Sequence, residues 1–210
     1  AISRFANSLV NKGVNVGILV FKRTDNEYFL SDSVKVFRFP EDYCENEGNV
    51  VDRVLRRRRI IRNTINEFNP DCIIPFLESV TNETFFAAPR NIPVIATLRD
   101  VPEKKSKLKK MLRQHVLNSC DAIMLQNEAQ KAFLTNKQIT KSFVVPNMVS
   151  EEFLIAEPKS ITSISRIVTV GRLTEQKNME MAIKSIYNLH NVLGDIKLYI
   201  YGEGVERKRL

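Results

Sequence analysis

The chain has 210 residues, 43% of them hydrophobic, enough for one substantial core or for one domain and part of a second. Its formal charge of +8 and pI near 9.5 point to an anionic partner, whether nucleic acid, membrane surface or phosphorylated ligand. No run of eighteen apolar residues reads as a transmembrane helix, and the opening residues lack a leader's charged-then-apolar order. Cys44, Cys72 and Cys120 stand far apart without a CxxC pair, so reduced, cytosolic thiols are expected and a structural metal is not. His115 and His190 sit in separate helical patterns and make no metal site by themselves.

In chain order, residues 1–12 place Ile2, Phe5, Ala6, Leu9 and Val10 on one helical face, with Gly13 as a helix stop. The strand "VNVGILVF" (14–21) follows, then the alternating strand "VKVFRFP" (34–40). Val51, Val54, Leu55, Ile61, Ile65 and Phe68 recur at helical spacing over 50–68, and "NPD" (69–71) breaks that helix before the strand "CIIPF" (72–76). Next come a helix around 81–90, the strand "PVIATL" (93–98), a basic helix near 104–118 and the strand "AIMLQ" (122–126). A helix near 127–135 and the strand "SFVVP" (142–146) complete the series. Strands alternating with helices predict an α/β fold with a doubly wound parallel sheet.

Residues 147–165 are irregular and polar. A second βαβ unit then begins with "RIVTVG", a helix near 178–192 and "IKLYIYG" (196–202). The expected organisation is an amino-terminal Rossmann-like domain over 1–150 without its first strand, a linker at 151–165, and the truncated start of a second domain at 166–210. Both ends read as cut, because residue 1 already lies in a helix and about 45 residues of one βαβ unit close no core.

The stretch "VGRLTEQKN" (170–178) carries the chemistry. Ligands bind open α/β sheets at the carboxyl ends of strands, and this strand ends in Gly171-Arg172, with Lys177 at the start of the next helix. Gly171 lets a ligand approach the backbone, Arg172 can fork onto phosphate oxygens, and Lys177 adds a point charge. A helix opening near Asn178 would add unpaired N–H groups. By spacing alone this is either a diphosphate cradle or an ordinary basic loop.

"VGRLTEQKNMEMAIKSI" followed by "LYIYGEGVERKRL" resembles the start of the carboxy-terminal domain of retaining glycosyltransferases of family 4, which have the two-Rossmann GT-B fold. "FANSLVNKGVNVGILV", "IPVIATLRDVP", "CDAIMLQNEAQKAFL" and "VVPNMV" resemble that family's first domain in the same order, so the likeness runs along nearly the whole chain. It implies that Arg172 and Lys177, with Gly171, hold the diphosphate of a nucleotide-sugar donor. It also implies that Gly202 and Gly204 border the nucleotide and that Asn147 lines the interdomain cleft. Arg99, in "TLRD", stands where many relatives have a histidine, and its alternative is a surface ion pair with Asp100. The family's glycine-rich loop would precede residue 1. Its paired catalytic-region glutamates would follow residue 210, so no catalytic residue is assigned here.

The function so implied is sugar transfer from a nucleotide-diphosphate sugar to a glycan or lipid-linked acceptor in cell-surface polysaccharide or glycoconjugate biosynthesis. No metal or other cofactor is expected, and no DxD sequence is present. Two basic stretches remain. Arg56 to Arg59 reads as solvated surface, and Lys104, Lys105, Lys107, Lys109, Lys110 and Arg113 share a helix with Leu108, Met111, Leu112 and Val116. That second segment is either a solvated face or a dock for anionic lipid, which would place a cytoplasmic enzyme on the inner face of the plasma membrane. A non-catalytic nucleic-acid-binding protein is the alternative of another class. Against it, the basic stretches have no interleaved aromatics and the chain has no tryptophan. A GT-B epimerase or phosphorylase is the alternative within the fold.

Overall fold

The computed structural model describes residues 2–21, 28–40, 43, 49–99, 106–149, 153 and 164–210. They fall into two compact units, Ala1–Ser150 and Glu151–Leu210. The expected linker at 151–165 lies outside the described residues except for Phe153, Ile164 and Ser165.

In the first unit, α1 (Ile2–Asn11) buries Ala6 and is closed at Gly13, whose φ of 79° suits glycine. β1 (Val16–Val20) and β2 (Val34–Arg38) pair in parallel from Val16↔Val34 to Val20↔Arg38. α2 (Val50–Phe68) starts where the Asn49 side chain accepts from the Asp52 N–H at 3.0 Å, and stops at Asn69 in a left-handed conformation with Pro70 beyond. Of its anticipated apolar face, Ile61 and Ile65 are buried, whereas Val51 and Leu55 are exposed. Arginine packs against aromatics in this region instead. The Arg57 guanidinium lies 4.9 Å from the Phe21 ring centroid and its Nε is 2.8 Å from Glu83, while Arg58 lies 4.8 Å from the Phe86 ring. Arg57 and Arg58 are therefore part of the packing, not the solvated surface that their charge implied.

α3 (Glu78–Ala87) turns Thr81, Thr84 and Ala87 inward. β3 (Ile95–Thr97), β4 (Ala122–Leu125) and β5 (Ser142–Val144) form a parallel sheet in that order. The expected strand at 72–76 is reduced to a single parallel bridge, Ile73↔Val94. Pro75 has no N–H to donate, and its carbonyl accepts from the Thr97 hydroxyl at 2.8 Å, so the ladder cannot extend through it. α4 (Lys107–Ser119) lays Val116 and Leu117 on the sheet, where they meet Val94, Ala96, Leu98, Cys120, Ile123 and Leu125 in the main core. Arg113 points inward, 8% exposed and 3.6 Å from Glu78, and so leaves the basic face assigned to it. Leu108 and Met111, on the same helix, are open to solvent. Lys104, Lys105 and Asp100 lie outside the described residues.

The helix expected at 127–135 is a 3-10 turn, Glu128–Phe133, followed by the short α5 (Asn136–Ile139). Two caps divide it: the Asn127 side chain accepts from the Gln130 N–H, and Thr135 forms a capping box with Gln138. Gln138 is fully buried and donates to Gln114 Oε1 at 2.6 Å and Asn118 Oδ1 at 2.9 Å. Cys120 is buried, and loss of water pushes its thiol up to about 11, which makes it a poor nucleophile. Cys72 is exposed and free, and Cys44 lies outside the described residues.

The second unit is one βαβ. β6 (Arg166–Val170) pairs in parallel with β7 (Lys197–Tyr201), from Arg166↔Lys197 to Val170↔Tyr201. Between them run a 3-10 turn (Glu175–Lys177) and α6 (Met179–Leu193), and another 3-10 turn (Val205–Lys208) follows β7. Among its described residues Leu173, Met179 and Ile196 are the buried apolar ones. No helix among the described residues of either unit is long and apolar enough to cross a membrane.

Candidate functional site

Because β6 and β7 are parallel, both carboxyl ends open on one edge, and the loops that leave them are laced together. The Gly171 N–H donates to the Tyr201 carbonyl at 3.0 Å, Leu173 N–H to Glu203 at 2.9 Å, and Glu206 N–H back to Leu173 at 3.1 Å. A Cβ at position 202 would stand 1.9 Å from the Gly171 carbonyl oxygen, and one at 204 would stand 2.2 Å from that of Leu173. Only glycine lets the two backbones approach this closely. Gly171, Gly202 and Gly204 thus meet in one place, with Met179 packed beneath Gly171.

Arg172 and Lys177 rise from this edge, both exposed. Among the described residues neither side chain has an ion-pair or hydrogen-bond partner. Most neighbouring carboxylates are already engaged by other cations. Glu203 pairs with Arg207, Glu206 with Arg209 at 2.5 Å, and Glu180 with both Lys184 and Arg209 at 2.6 Å. Hydrogen bonds from Lys184 and Arg209 hold the Glu180 carboxyl down at about 2, so its charge stays committed to them. Glu175 alone in the loop keeps a carboxylate without a partner. The loop therefore presents two uncompensated cations over a backbone with no side-chain bulk, an arrangement that suits a diphosphate.

The helix end differs from expectation. α6 begins at Met179, after the 3-10 turn, and Asn178 adopts φ 45° and caps it by accepting from the Met181 N–H at 3.3 Å. One of the N–H groups expected to face a ligand is thereby taken, and the cations carry more of the site than the helix end does. Next to the loop, Thr174, Asn178, Glu180, Glu206 and Arg209 line a polar groove of about 640 Å³ that includes neither Arg172 nor Lys177.

In the first unit, the carboxyl edge of the β3–β4–β5 sheet gathers a second constellation. Arg99 lies two residues past β3, Gln126 directly past β4 and Asn147 three residues past β5. Arg99 Nη1 donates to Asn147 Oδ1 at 2.6 Å, and its guanidinium stacks 4.6 Å from the Phe76 ring centroid. With its amide turned to match its neighbours, the Gln126 oxygen accepts from Arg99 Nη1 at 3.2 Å and its nitrogen donates to the Arg99 carbonyl at 3.3 Å. Buried Gln130 fixes this edge by donating to the Leu98 carbonyl at 3.3 Å and accepting from the Gln126 N–H at 2.6 Å. Partial burial lowers the arginine's pKa. Arg99 and Asn147 were singled out in the sequence, whereas Gln126 and Phe76 were not. The signal was available for Gln126, since it too follows a strand on the ligand-binding edge.

No family model matches the chain. A stretch of 56 residues is 34% identical to the UDP-N-acetylglucosamine–peptide N-acetylglucosaminyltransferase GtfA subunit of Limosilactobacillus reuteri subsp. suis, covering 27% of this chain and 11% of that protein. The structure is similar to that of TarM, with a TM-score of 0.56 and 14% identity over 72% of this chain and 32% of TarM. It is similar also to an S. aureus TarM variant in complex with fondaparinux, alpha-GlcNAc-glycerol and UDP, with a TM-score of 0.55, 14% identity and the same coverage. The fold is thus the mixed α/β, parallel-sheet GT-B type. The chain spans about a third of TarM (32%) and about a tenth of the GtfA subunit (11%).

Proposed function

We propose that this chain carries the acceptor-side domain and the diphosphate-binding start of the donor domain of a nucleotide-sugar glycosyltransferase. The observation that carries this reading is the pair of uncompensated cations, Arg172 and Lys177, above the glycine-walled edge of β6 and β7. When a glycosyl group leaves a nucleoside diphosphate, negative charge grows on the departing oxygen, and cations already in place there lower the barrier by several kcal/mol. Arg172 would fork onto two phosphate oxygens and Lys177 would add a mobile point charge, so the cations supply this stabilisation without a metal. The relative's name carries UDP-N-acetylglucosamine and the TarM variant was crystallised with UDP, which makes a uridine nucleotide the first donor to test.

In this reading the enzyme is of the retaining, hexosyl-transferring kind. It acts on a glycan or lipid-linked acceptor in cell-surface polysaccharide or glycoconjugate assembly, on the cytoplasmic side of the membrane. Incubation of the full natural-length protein with UDP-N-acetylglucosamine, other nucleotide sugars and lipid-linked or glycan acceptors should release nucleotide and yield a glycosylated product detectable by mass spectrometry. The 210-residue chain alone, which spans about a third of TarM, should yield none. Failure of the full-length protein with every donor would sink the reading.

Membrane docking is part of the same proposal. α4 exposes Leu108 and Met111 among Lys107, Lys109 and Lys110, an apolar stripe bordered by cations. Each basic residue near an anionic lipid surface contributes about 1 kcal/mol. Exchanging these three lysines for glutamine should release the protein from vesicles containing phosphatidylserine in co-sedimentation. Binding that ignores both the exchange and added salt would rule out an electrostatic dock.

A further inference from the structure

Arg99 is a cation whose surroundings are incomplete. Among the described residues its buried Nε has no hydrogen-bond partner and Nη1 alone is engaged, by the neutral oxygens of Asn147 and Gln126. Among the described residues no carboxylate pairs with it, although burial disfavours its charge. A guanidinium placed this way normally has an anion beside it, because desolvating a charge without compensation is costly. The side chain is nonetheless held firmly. Phe76 stacks on its plane, Asn147 and Gln126 fix one nitrogen of its fork, and buried Thr97 and Gln130 pin the segments that carry Phe76 and Leu98. Asn147 is exposed, and the amide NH₂ left over when its oxygen accepts from Arg99 is a further free donor. A preorganised arginine fork and a neighbouring amide, at the carboxyl ends of parallel strands, are what an oxyanion needs.

We propose that Arg99, oriented by Phe76, Gln126 and Asn147, forms an oxyanion site in the first unit, and that it receives a phosphate or carboxylate group on the acceptor. Assigning the anion to the acceptor rests on the glycosyltransferase reading, whereas the anion site itself does not. An enzyme built this way selects anionic acceptors and discriminates against neutral analogues, since an unfilled arginine would remain undercompensated.

The experiment is titration of the full chain carrying Arg172→Ala and Lys177→Ala, so that the donor loop does not compete. Inorganic phosphate and acetate are added at constant ionic strength against chloride, while arginine-selective ¹⁵N labelling follows the Arg99 Nε–H resonance. Saturable binding with movement of that resonance is expected. Arg99→Gln, which lacks that resonance and is therefore titrated by calorimetry beside the parent, should weaken binding at least about tenfold, the lower end for losing charge-assisted hydrogen bonds. Asn147→Ala, at an exposed position, should weaken it severalfold with the fold intact. Tighter binding of phosphate than acetate identifies a phosphorylated group, and the reverse identifies a carboxylate. No saturable binding of either ion overturns the proposal, as does binding that neither Arg99→Gln nor Asn147→Ala weakens. Because turnover is not measured, ion binding at Arg99 together with failure of the unmodified full natural-length protein on every donor would defeat the glycosyltransferase reading and leave this site standing.

Discussion

If the proposed glycosyltransferase reading holds, Arg172→Ala and Lys177→Ala in the natural-length protein are each expected to lower kcat/KM for the nucleotide-sugar donor by at least about tenfold, with an upper range near 150-fold. The range follows from charge-assisted hydrogen bonds to phosphate of about 1.5–3 kcal/mol each. Melting temperature should stay near that of the unmodified protein, because both side chains are exposed and make no ion pair or hydrogen bond among the described residues. Arg172→Lys is the sharper comparison. It keeps the positive charge and removes the planar fork, so an intermediate loss would show that bidentate geometry matters beyond charge. Normal turnover in both alanine variants would make "VGRLTEQKN" a structural loop. Activity loss that tracks loss of stability would have the same meaning.

Gly202→Ala should do the opposite and damage the fold of the second unit before any ligand is considered. The added methyl would sit 1.9 Å from the Gly171 carbonyl oxygen, and backbone cannot rotate away as a side chain can. Relief requires separating the two loops, which breaks the Gly171–Tyr201 and Leu173–Glu203 hydrogen bonds. A destabilisation of about 3 kcal/mol or more is expected, at the upper end for overpacking. Gly204→Ala, with its methyl 2.2 Å from the Leu173 carbonyl, should behave similarly. Thermal melts and amide exchange across β6 and β7 report the effect directly. A Gly202→Ala protein with unchanged melting and protection would show that these loops are not held as closely as described. The two experiments separate roles at one edge: cations that act on a ligand without holding the fold, and glycines that hold the fold whether or not a ligand is present.

Much of the architecture was legible because its signals are local. Apolar spacing over 50–68 and the break at "NPD" placed α2, which Asn69 closes in a left-handed conformation, and alternating or continuous apolar runs placed β1 to β7 in order. The errors fall where a partner distant in sequence outcompeted the local pattern. "CIIPF" reads as a strand by composition, yet the Pro75 carbonyl is taken by Thr97 from another segment. Residues 127–135 have helical periodicity, but Gln130 is drawn inward to Leu98 and the stretch tightens into a 3-10 turn. Arg113 looks like one more cation on a basic helix until Glu78 and the core enclose it.

The candidate sites divide along the same line. By itself, the sequence determined that glycine and cations follow the strand at 166–170, and that Arg99 and Asn147 each follow a strand of a parallel sheet. Those are consequences of residue type and period, which need no knowledge of neighbours. Only the tertiary structure decided which charges remain available. Among the described residues Arg207, Arg209 and Lys184 are spent on carboxylates, Arg57 and Arg58 lie against aromatic rings, and Arg172 and Lys177 are left open. Arg99 and Asn147, 48 residues apart, are likewise joined only when the sheet brings the ends of β3 and β5, on either side of β4, to one edge. Coulomb and hydrogen-bond energies depend on distance in space, so the free or paired state of a charge is a property of the folded chain.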